Sequence, residues 1–448
     1  MHWVDTDNVA LLTDLYELTM SASYYARGRN HEATFDLFAR ELPSNRNFLV
    51  ACGLDEALGY LEDLRFNTDG IDYLRSLDLF EDDFLSYLGK LRFTGEVRAV
   101  PEGEVVFPGE PLLSVTAPMI EAQIVETFLL NCISFQTTIA SKAARVSLAC
   151  AGRPFIDMSP RRDHGADAAL KAARAAYIGG ASGTSNVLAG RVYGLPVQGT
   201  MAHSYVMAFE SEEEAFRSFC LDFPTSAVLL IDTFDVEEGA RRAVHVAKEL
   251  APQGVKLRGL RIDSGELAPL ARSVRKILDE GGLKDVSIVL SGDLDEYRIK
   301  MLFDEDVPVD SFGVGTQLGT SADAPALGCV YKLVAGGGRP RIKLSAGKAT
   351  VPGRKQLYRF MDHGCYDYDL IAAEEEEVDG GRPLLECVMR AGRREAEGPP
   401  LGSVRERCAD SLTRLSERLR TLEGEVAPYR VDLSPTLHEL ITTMSEVY

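Results

Sequence analysis

The chain has 448 residues, of which 45% are hydrophobic and 26% charged, which is ordinary for a soluble globular protein of about two or three domains. Its net charge of −20 argues against broad nucleic-acid binding, which needs a basic face, and no apolar stretch approaches the roughly 20 residues of a membrane span. No secretory signal is visible and the eight cysteines form no CxxC motif, so we expect a cytoplasmic protein with reduced thiols.

The N-terminal part, about residues 8–93, carries apolar residues at helical spacing and therefore predicts mainly helices. Thr6 or Asp7 could cap the first helix. We expect helices at 9–25, 55–64 and 70–91, and short strands at 35–38 and 48–51.

Residues 95–116 form short β-type runs interrupted by Pro and Gly, which is typical of a small antiparallel sheet, and residues 120–150 return to a long helical pattern. The C-terminal part predicts solvated surface at the acidic run 374–377. Its other expected elements are strands at 331–334, 341–344 and 358–360, a glycine loop at 336–338, and helices at 408–424 and 436–447.

Six apolar runs between Arg153 and Ser321 each end in a polar or glycine-rich cluster, with helix-length stretches between most of them. This alternation predicts a parallel sheet, and in an α/β barrel the strand ends converge on one face, where the active site lies. The runs are 155–157, 196–197, 227–231, 257–262, 287–290 and 309–312.

The expected fold class is therefore α/β: an irregular α/β barrel, together with an α+β sandwich domain built from the two flanks. We expect an N-terminal part at 1–130, the barrel at 131–335, and a C-terminal part at 336–448 that packs on the other two.

Glycine turns at two strand ends are candidates for phosphate binding, because glycine lets backbone N–H groups approach an anion. Gly313 and Gly315 form one turn, and Gly292 lies in the other, between Ser291 and Asp293. A lone GxG is more often a plain tight turn, but two such turns at neighbouring strand ends favour the phosphate interpretation.

Arg261 and Asp263 lie two residues apart on the same side of a strand. They could form an internal ion pair, or Asp263 could cap the helix that follows; alternatively Asp263 could bind ribose hydroxyls or Mg²⁺. Asp232 and Asp293 at neighbouring strand ends would bring three carboxylates to one pocket, where a cation or a sugar relieves their repulsion.

Arg161 and Arg162 follow the first strand of this region, where a planar guanidinium suits a carboxylate, although adjacent arginines usually form surface ion pairs. His203 follows a glycine cluster at a strand end, which favours function over the structural role that a lone histidine more often has. His pairs at zinc-ligand spacing are absent from the sequence, which disfavours a zinc hydrolase.

Taken together, these motifs resemble those of the nicotinate phosphoribosyltransferases, in the family's order. The resemblance covers about residues 11–320. Its motifs are LLTDLYELTM from Leu11, GTSN from Gly183, GTMAHS from Gly199, RIDSG from Arg261, SGD from Ser291 and GVGT from Gly313.

The resemblance implies an ATP-assisted transfer of phosphoribosyl from phosphoribosyl pyrophosphate to nicotinate, giving nicotinate mononucleotide and pyrophosphate in NAD salvage. It implies Mg²⁺ as cofactor, ATP as co-substrate, and a homodimer with shared active sites. By position in the motifs, His203 matches the family's histidine that ATP phosphorylates, and Arg261 and Asp263 match its other catalytic residues. The residues that match its phosphoribosyl-binding positions are Asp232, Gly292, Asp293, Gly313 and Gly315. Of these residues, Asp263 and Asp293 would lie near the metal.

The resemblance also places nicotinate between aromatic rings with an Arg on its carboxylate. Arg161 matches that Arg, and Tyr16 matches a ring contributed across the dimer interface. The usual Phe-Gly before the arginine is replaced here by Met158 and Ser159, and a thioether can pack on a pyridine ring. Ser185 stands where nicotinamide enzymes carry Asp, and a neutral side chain suits the acid.

Two alternatives stay open. The chain could be a related phosphoribosyltransferase that uses nicotinamide or quinolinate, although Ser185 disfavours the first and the chain length disfavours the second. It could instead be a catalytically silent relative that binds nucleotide as a sensor, although the presence of His203, Asp263 and Asp293 argues against silence.

Overall fold

The computed structural model of the protein describes residues 4–345, 350–424 and 426–447 and divides the chain into two compact units. Unit 1 combines Met1–Ser141 with Ala326–Tyr448, and unit 2 is Lys142–Pro325. Within the described ranges, no helix combines the length and the apolar character that a membrane crossing requires. The three-part division expected from the sequence stays a prediction.

The N-terminal segment of unit 1 alternates helices with short strands. The helices are α1 (Leu15–Ala26), α2 (Leu54–Asp63), α3 (Thr68–Ser76), α4 (Asp82–Leu88), α5 (Met119–Ile124) and α6 (Glu126–Ala149), the last of which carries the boundary between the units. The strands are β1 (Glu32–Ala39), β2 (Leu49–Val50), β3 (Glu96–Ala99), β4 (Val105–Val106) and β5 (Pro111–Pro118).

Unit 2 alternates strands with helices. The strands are β6 (Phe155–Asp157), β7 (Gly183–Thr184), β8 (Val228–Leu230), β9 (Gly259–Ile262), β10 (Ser287–Leu290) and β11 (Ser311–Val314). The helices are α7 (Ala166–Ile178), α8 (Val187–Tyr193), α9 (His203–Met207), α10 (Glu212–Asp222), α11 (Val236–Leu250), α12 (Leu267–Glu280), α13 (Glu296–Asp304) and α14 (Thr316–Gly319).

The C-terminal segment returns to unit 1. Its strands are β12 (Cys329–Gly336), β13 (Arg339–Pro340), β14 (Lys355–Asp362), β15 (Cys365–Ala373), β16 (Arg382–Pro383), β17 (Glu386–Arg390), β18 (Arg393–Arg394) and β19 (Arg430–Leu433). Its helices are α15 (Leu401–Arg414), α16 (Glu417–Arg420) and α17 (Pro435–Val447).

The two flanks share one sheet in unit 1. The seven-stranded sheet has the order β13-β12-β1-β5-β3-β17-β18, so strands from both ends of the chain alternate in it. A buried ionic cluster adds a second link, because the fully buried Arg359 donates to the Val105 carbonyl at 2.7 Å and to Asp369 at 2.6 Å. Burial and the nearby Asp369 raise the pKa of Glu110 in this cluster well above its usual value.

Unit 2 is built on a six-stranded parallel sheet in the order β7-β6-β11-β10-β9-β8. Capping residues start several of its helices; Asp235, for example, accepts from the Glu238 N–H at 2.9 Å. The alternation of strands and helices confirms the expected α/β class. In the described chain, β7 and β8 form the two edges of the parallel sheet, which is therefore an open half-barrel.

One apolar run of the parallel region was assigned wrongly. Residues 196–197 make a single bridge, from Val197 to Thr184, and the strand at this place is β7. A Cβ at position 183 would overlap the Pro196 backbone, so the close approach of the two segments requires glycine there. Glycine is otherwise disfavoured inside strands, which is why the sequence did not predict this one.

Other differences lie at element ends. The helix expected at 9–25 begins at Leu15, so Thr6 and Asp7 are not its caps, and the helix expected at 120–150 breaks at Val125. The helices expected at 70–91 and 408–424 are each two shorter ones, and 341–344 is not a strand. Glu374 of the acidic run is not free surface, since it pairs with Arg98 and Arg354.

Candidate active site

A polar cavity of about 210 Å³ lies at the carboxyl ends of the parallel strands of unit 2. This is the edge where an α/β sheet usually places its ligand. The cavity brings together three guanidinium groups, two carboxylates and bare glycine backbone. Its lining residues are Met158, Arg161, Arg162, Arg261, Asp263, Ser291, Gly292, Asp293, Gly313, Gly315 and Thr316.

Arg261 and Asp263, which flank the end of β9, are held in a fixed hydrogen-bonded group. Arg261 donates from Nη2 to Asp263 Oδ1 at 2.8 Å, from Nε to Ser291 Oγ at 2.8 Å, and from Nη1 to Thr200 Oγ1 at 3.1 Å. Ser291 in turn donates to Asp263 Oδ1 at 2.6 Å. The ion pair considered from the sequence is present, and both of its residues line the cavity.

Asp232 supports Asp263 from the end of β8. Its Oδ2 accepts from the Asp263 backbone N–H at 3.0 Å and from the Ser264 hydroxyl at 2.6 Å. Its Oδ1 is buried and has no hydrogen-bond partner among the residues that the structure describes. The cap considered for Asp263 is not formed, because α12 has Glu266 at its N-cap and no side-chain bond there.

The turn after β10 depends on a glycine in close contact with β9. Gly292 has φ +98°, a left-handed conformation, and a Cβ on it would overlap the carbonyl oxygen of Asp263. The exposed Asp293 next to it also has positive φ, +48°. The Arg298 guanidinium donates to the Asp293 carbonyl at 3.0 Å and so helps to hold this turn.

The turn after β11 packs on Met158. A Cβ on Gly313 would lie 2.6 Å from Met158 Sδ, and one on Gly315 would lie 3.3 Å from the Met158 carbonyl oxygen. The Met158 N–H donates to the Val314 carbonyl at 2.8 Å. A side chain on Gly313 would therefore collide with the Met158 thioether, whereas Gly315 faces the Met158 backbone.

Arg161 lies in a four-residue turn directly after β6. The Arg162 N–H donates to the Ser159 carbonyl at 2.7 Å, with Pro160 at the second position, where proline is favoured. Both arginine side chains are exposed and line the cavity.

His203 begins the short helix α9 and is half-buried. One ring nitrogen, Nδ1, lies 3.1 Å from Thr233 Oγ1, and Thr233 directly follows Asp232. The hydroxyl thus orients the imidazole beside the strand end that carries Asp232, although His203 is not among the cavity-lining residues.

Two further predicted residues lie outside the cavity lining. Ser185 follows β7, and its N–H donates to the Asp157 carbonyl at 2.8 Å. Tyr16 lies on α1 in unit 1 with 46% of its surface exposed. Burial and the neighbouring Glu126 raise the pKa of its phenol.

A second acidic cluster, outside the cavity, is already neutralised by an arginine. Glu213, His245 and Glu249 are close enough to share a cation, but Arg217 donates to both Glu213 and Glu249 at 2.8 Å. The guanidinium supplies the positive charge there, so the group is an exposed ion-pair cluster.

Family models match most of the chain in three consecutive segments. The nicotinate phosphoribosyltransferase (NAPRTase) N-terminal domain matches residues 11–134, the NAPRTase family model matches 154–337, and the C-terminal domain matches 380–441. A Mycobacterium tuberculosis protein named nicotinate phosphoribosyltransferase pncB2 is 46% identical over 95% of this chain and 91% of its own length. The chain belongs to the nicotinate phosphoribosyltransferase family.

One further relative and two solved structures match over nearly the whole chain. A Bacillus subtilis nicotinate phosphoribosyltransferase is 37% identical over 96% of this chain and 93% of its own length. The crystal structure of human nicotinic acid phosphoribosyltransferase superposes with a TM-score of 0.87 at 30% identity, covering 96% of this chain and 99% of that one. The crystal structure of nicotinate-nucleotide pyrophosphorylase from Pyrococcus furiosus superposes with a TM-score of 0.76 at 25% identity, covering 92% of this chain and 98% of that one.

The site of this family member contains residues that the sequence interpretation did not single out. Ser291 bonds both Arg261 and Asp263, Thr200 bonds Arg261, and Thr316 lines the cavity. Each of these residues lies within one of the motifs described above, and that position is the signal in the sequence that could have identified them. The hydrogen bonds themselves join separate strand ends and are invisible in the sequence.

Proposed function

We propose that this chain transfers the phosphoribosyl group of phosphoribosyl pyrophosphate to nicotinate, giving nicotinate mononucleotide and pyrophosphate in NAD salvage. Membership of the family and the names of its relatives support this function. The observation that carries it is the single cavity at the strand ends, which combines guanidinium groups, carboxylates and glycine turns. We place the reaction in the cytoplasm.

The glycine turns and Arg261 suit the phosphates of the donor. Gly292, Gly313 and Gly315 leave backbone exposed to the cavity, where an oxygen of a phosphate can approach closely. The Arg261 guanidinium, fixed by three hydrogen bonds, offers a preorganised positive charge that needs no rearrangement when the leaving group becomes charged.

The carboxylates suit the ribose. In the reaction the bond from ribose C1 to the pyrophosphate oxygen breaks, and a bond from C1 to the pyridine nitrogen forms. The sugar becomes cationic between these events, and the negative charge of Asp263 and Asp293 stabilises it. Asp232 holds Asp263 in place through the Asp263 backbone N–H and contributes to the same negative field.

Asp263 and Asp293 would hold a Mg²⁺ ion. The donor set fits, because carboxylate oxygens are the ligands that Mg²⁺ prefers, and the unpartnered buried Oδ1 of Asp232 adds uncompensated negative charge nearby. When bound, Mg²⁺ would neutralise charge on the pyrophosphate. The hydrogen bonds from Arg261 and Ser291 both end on Asp263 Oδ1 and hold the carboxylate in a fixed orientation.

Nicotinate would bind with its carboxylate on Arg161 and its ring against Met158. The two residues line the same cavity, and the Met158 sulfur is fixed against Gly313. Ser185 presents no negative charge to the acid. These assignments favour nicotinate over nicotinamide, which has no carboxylate to pair with a guanidinium.

His203 would accept a phosphoryl group from ATP. Its Nδ1 is engaged by Thr233, so Nε2 is the nitrogen left for phosphorylation. A phosphorylated imidazole changes the charge beside the strand ends and could couple ATP hydrolysis to substrate binding and product release.

A second copy of the chain would complete the nicotinate pocket. Tyr16, half-exposed on α1, would lie over the pyridine ring in the partner's site, and stacking of this kind contributes about 0.5–1.5 kcal/mol. Two-fold symmetry would then give two identical shared sites per dimer.

The test is pyrophosphate release from phosphoribosyl pyrophosphate with nicotinate, nicotinamide and quinolinate in parallel, with and without ATP. We expect release with nicotinate, increased by ATP. His203→Ala should lose both ATP hydrolysis and the stimulation while remaining folded; unchanged ATP hydrolysis in this variant would remove His203 from its assigned role. Release with nicotinamide or quinolinate alone would favour one of the related enzymes, and no release with any acceptor would favour a silent relative.

A further inference from the structure

Two carboxyl groups and one hydroxyl meet beside the turn that carries Arg161. Asp157, almost fully buried at the end of β6, accepts from the Ser159 N–H at 3.0 Å, the Ser159 hydroxyl at 2.6 Å and the Thr184 hydroxyl at 2.7 Å. On the other side of the same hydroxyl, Asp163 Oδ2 lies 3.0 Å from Ser159 Oγ. The other Asp163 oxygen is buried without a hydrogen-bond partner among the described residues.

This arrangement is one proton short if both carboxyl groups are ionised. A serine hydroxyl has a single hydrogen and cannot donate to Asp157 and Asp163 together. Asp157 already receives two other donors, which favour its ionised form. The additional proton therefore belongs on Asp163, which can then donate to Ser159 Oγ while Ser159 donates to Asp157.

The electrostatic surroundings agree with this assignment. Burial, followed by the negative charge of Asp157, raises the pKa of Asp163 to about 6, while Ser159 and His164 oppose the rise. Burial also raises the pKa of Asp157, but its hydrogen bonds from Ser159 and Thr184 act in the opposite direction.

The Ser159–Asp163 contact closes the arginine turn. Ser159 is the first residue of the turn, Arg161 the third and Arg162 the fourth, and Asp163 follows immediately. A side-chain bond between Ser159 and Asp163 therefore joins the two ends of the segment that presents Arg161. Gly319 of α14 packs against this contact, because a Cβ there would overlap both Asp163 Oδ1 and Ser159 Oγ.

We propose that Asp163 is a positioning residue for the acceptor substrate: as a carboxylic acid it donates to Ser159, and this bond holds the turn that aims Arg161 at the nicotinate carboxylate. The proposal rests on the assignment of nicotinate to Arg161 made above. When Asp163 loses its proton, two carboxylates face one hydroxyl and the bond between the ends of the turn is lost. Affinity for nicotinate then falls, while the phosphoribosyl pyrophosphate site, on other strands, is unaffected.

The test compares the pH dependence of two Michaelis constants in the full-length enzyme. We expect the KM for nicotinate to rise about three- to tenfold as pH passes from below to above the Asp163 pKa of about 6, the effect of one hydrogen bond, with the KM for phosphoribosyl pyrophosphate unchanged. Asp163→Asn, whose amide donates to Ser159 at every pH, should keep the low nicotinate KM throughout. Ser159→Ala should show the high value throughout.

Asp167→Asn is the matched control, because Asp167 is exposed at the start of α7 and pairs only with Lys171 in the described contacts. It should reproduce the unmodified pH profile. The proposal is overturned if Asp163→Asn keeps the unmodified pH dependence, or if both Michaelis constants rise together.

Infrared difference spectra separate failure of this inference from failure of the proposed function. If nicotinate is not a substrate, neither the unmodified protein nor any variant forms nicotinate mononucleotide at any pH, and the kinetic test gives no Michaelis constants. The unmodified protein should still show a carboxylic-acid carbonyl band that disappears above about pH 6 and is missing in Asp163→Asn. Identical spectra for the two proteins would overturn the proton assignment whatever the substrate is.

Discussion

Arg161 is the residue to which we assign the substrate carboxylate. Arg161→Ala removes a charged hydrogen-bonding partner, which costs on the order of 1.5–3 kcal/mol, so the KM for nicotinate should rise roughly ten- to a hundredfold. The KM for phosphoribosyl pyrophosphate should change little. Steady-state kinetics with each substrate varied in turn measure both effects.

A suitable control is Arg241→Ala, since Arg241 is an exposed residue of α11 that pairs with Glu237 and Glu238. Its kinetics should match those of the unmodified enzyme. An equal rise of both Michaelis constants in Arg161→Ala would contradict the assignment and point to a general distortion of the cavity.

Gly292 tests whether close packing of the glycine turn shapes the site. Gly292→Ala combines a left-handed backbone, about 1–2 kcal/mol of strain, with overlap on the Asp263 carbonyl, about 1–3 kcal/mol more. Gly254→Ala shares the positive φ, +81°, but a Cβ there meets nothing within 4 Å. Urea unfolding and activity should both be worse for Gly292→Ala; equal losses in the two variants would mean that the contact with Asp263 is unimportant.

At the scale of secondary-structure elements, Glu17 joins α1 to the first turn of α6. It accepts from the Thr127 N–H at 3.1 Å and the Thr127 hydroxyl at 2.5 Å, and the Thr13 hydroxyl bonds its other oxygen. Burial raises the pKa of Glu17 from 4.5 to about 7. The folded protein therefore holds a proton that the unfolded chain releases between these values, and the contribution to stability present at low pH is lost as pH rises through about 7.

Glu17→Gln removes this titration. The free energy of unfolding of the unmodified protein, relative to the variant, should fall by on the order of 1 kcal/mol between about pH 5 and pH 8, once solvent screening is allowed for. Urea unfolding at both pH values gives the comparison, with the exposed Glu41→Gln as control. A difference that stays constant with pH would show that Glu17 does not titrate in this range.

The elements that the sequence predicted best are those with a strong local signal. The alternation of apolar runs and amphipathic stretches was enough to place β8 to β11, because each strand is buried and bounded by polar residues. The break at Val125 and the helix start at Leu15 were not predicted, because the apolar spacing continues through both points. Contacts between residues distant in sequence, such as that of Glu17 with Thr127, leave no local signal. Likewise, the sequence motifs were enough to predict most of the cavity residues. The contact between Ser159 and Asp163 is visible only in the folded turn.

At the scale of the whole molecule, the proposed shared sites predict complementation between inactive variants. Tyr16→Ala and His203→Ala should each lower ATP-stimulated synthesis. Mixed under conditions that exchange subunits, they should partly recover, because some mixed dimers regain one site with both residues intact. No recovery despite demonstrated exchange would place Tyr16 in its own subunit's site or outside the site altogether.

The most direct test of the central claim is a competition in one vessel. Equal amounts of nicotinate, nicotinamide and quinolinate are supplied with phosphoribosyl pyrophosphate, ATP and Mg²⁺, and the products are identified by mass spectrometry. The account predicts nicotinate mononucleotide as the dominant product and its loss when Arg161 is replaced by Ala. A dominant product from nicotinamide or quinolinate, or no nucleotide from active, folded protein, would contradict it.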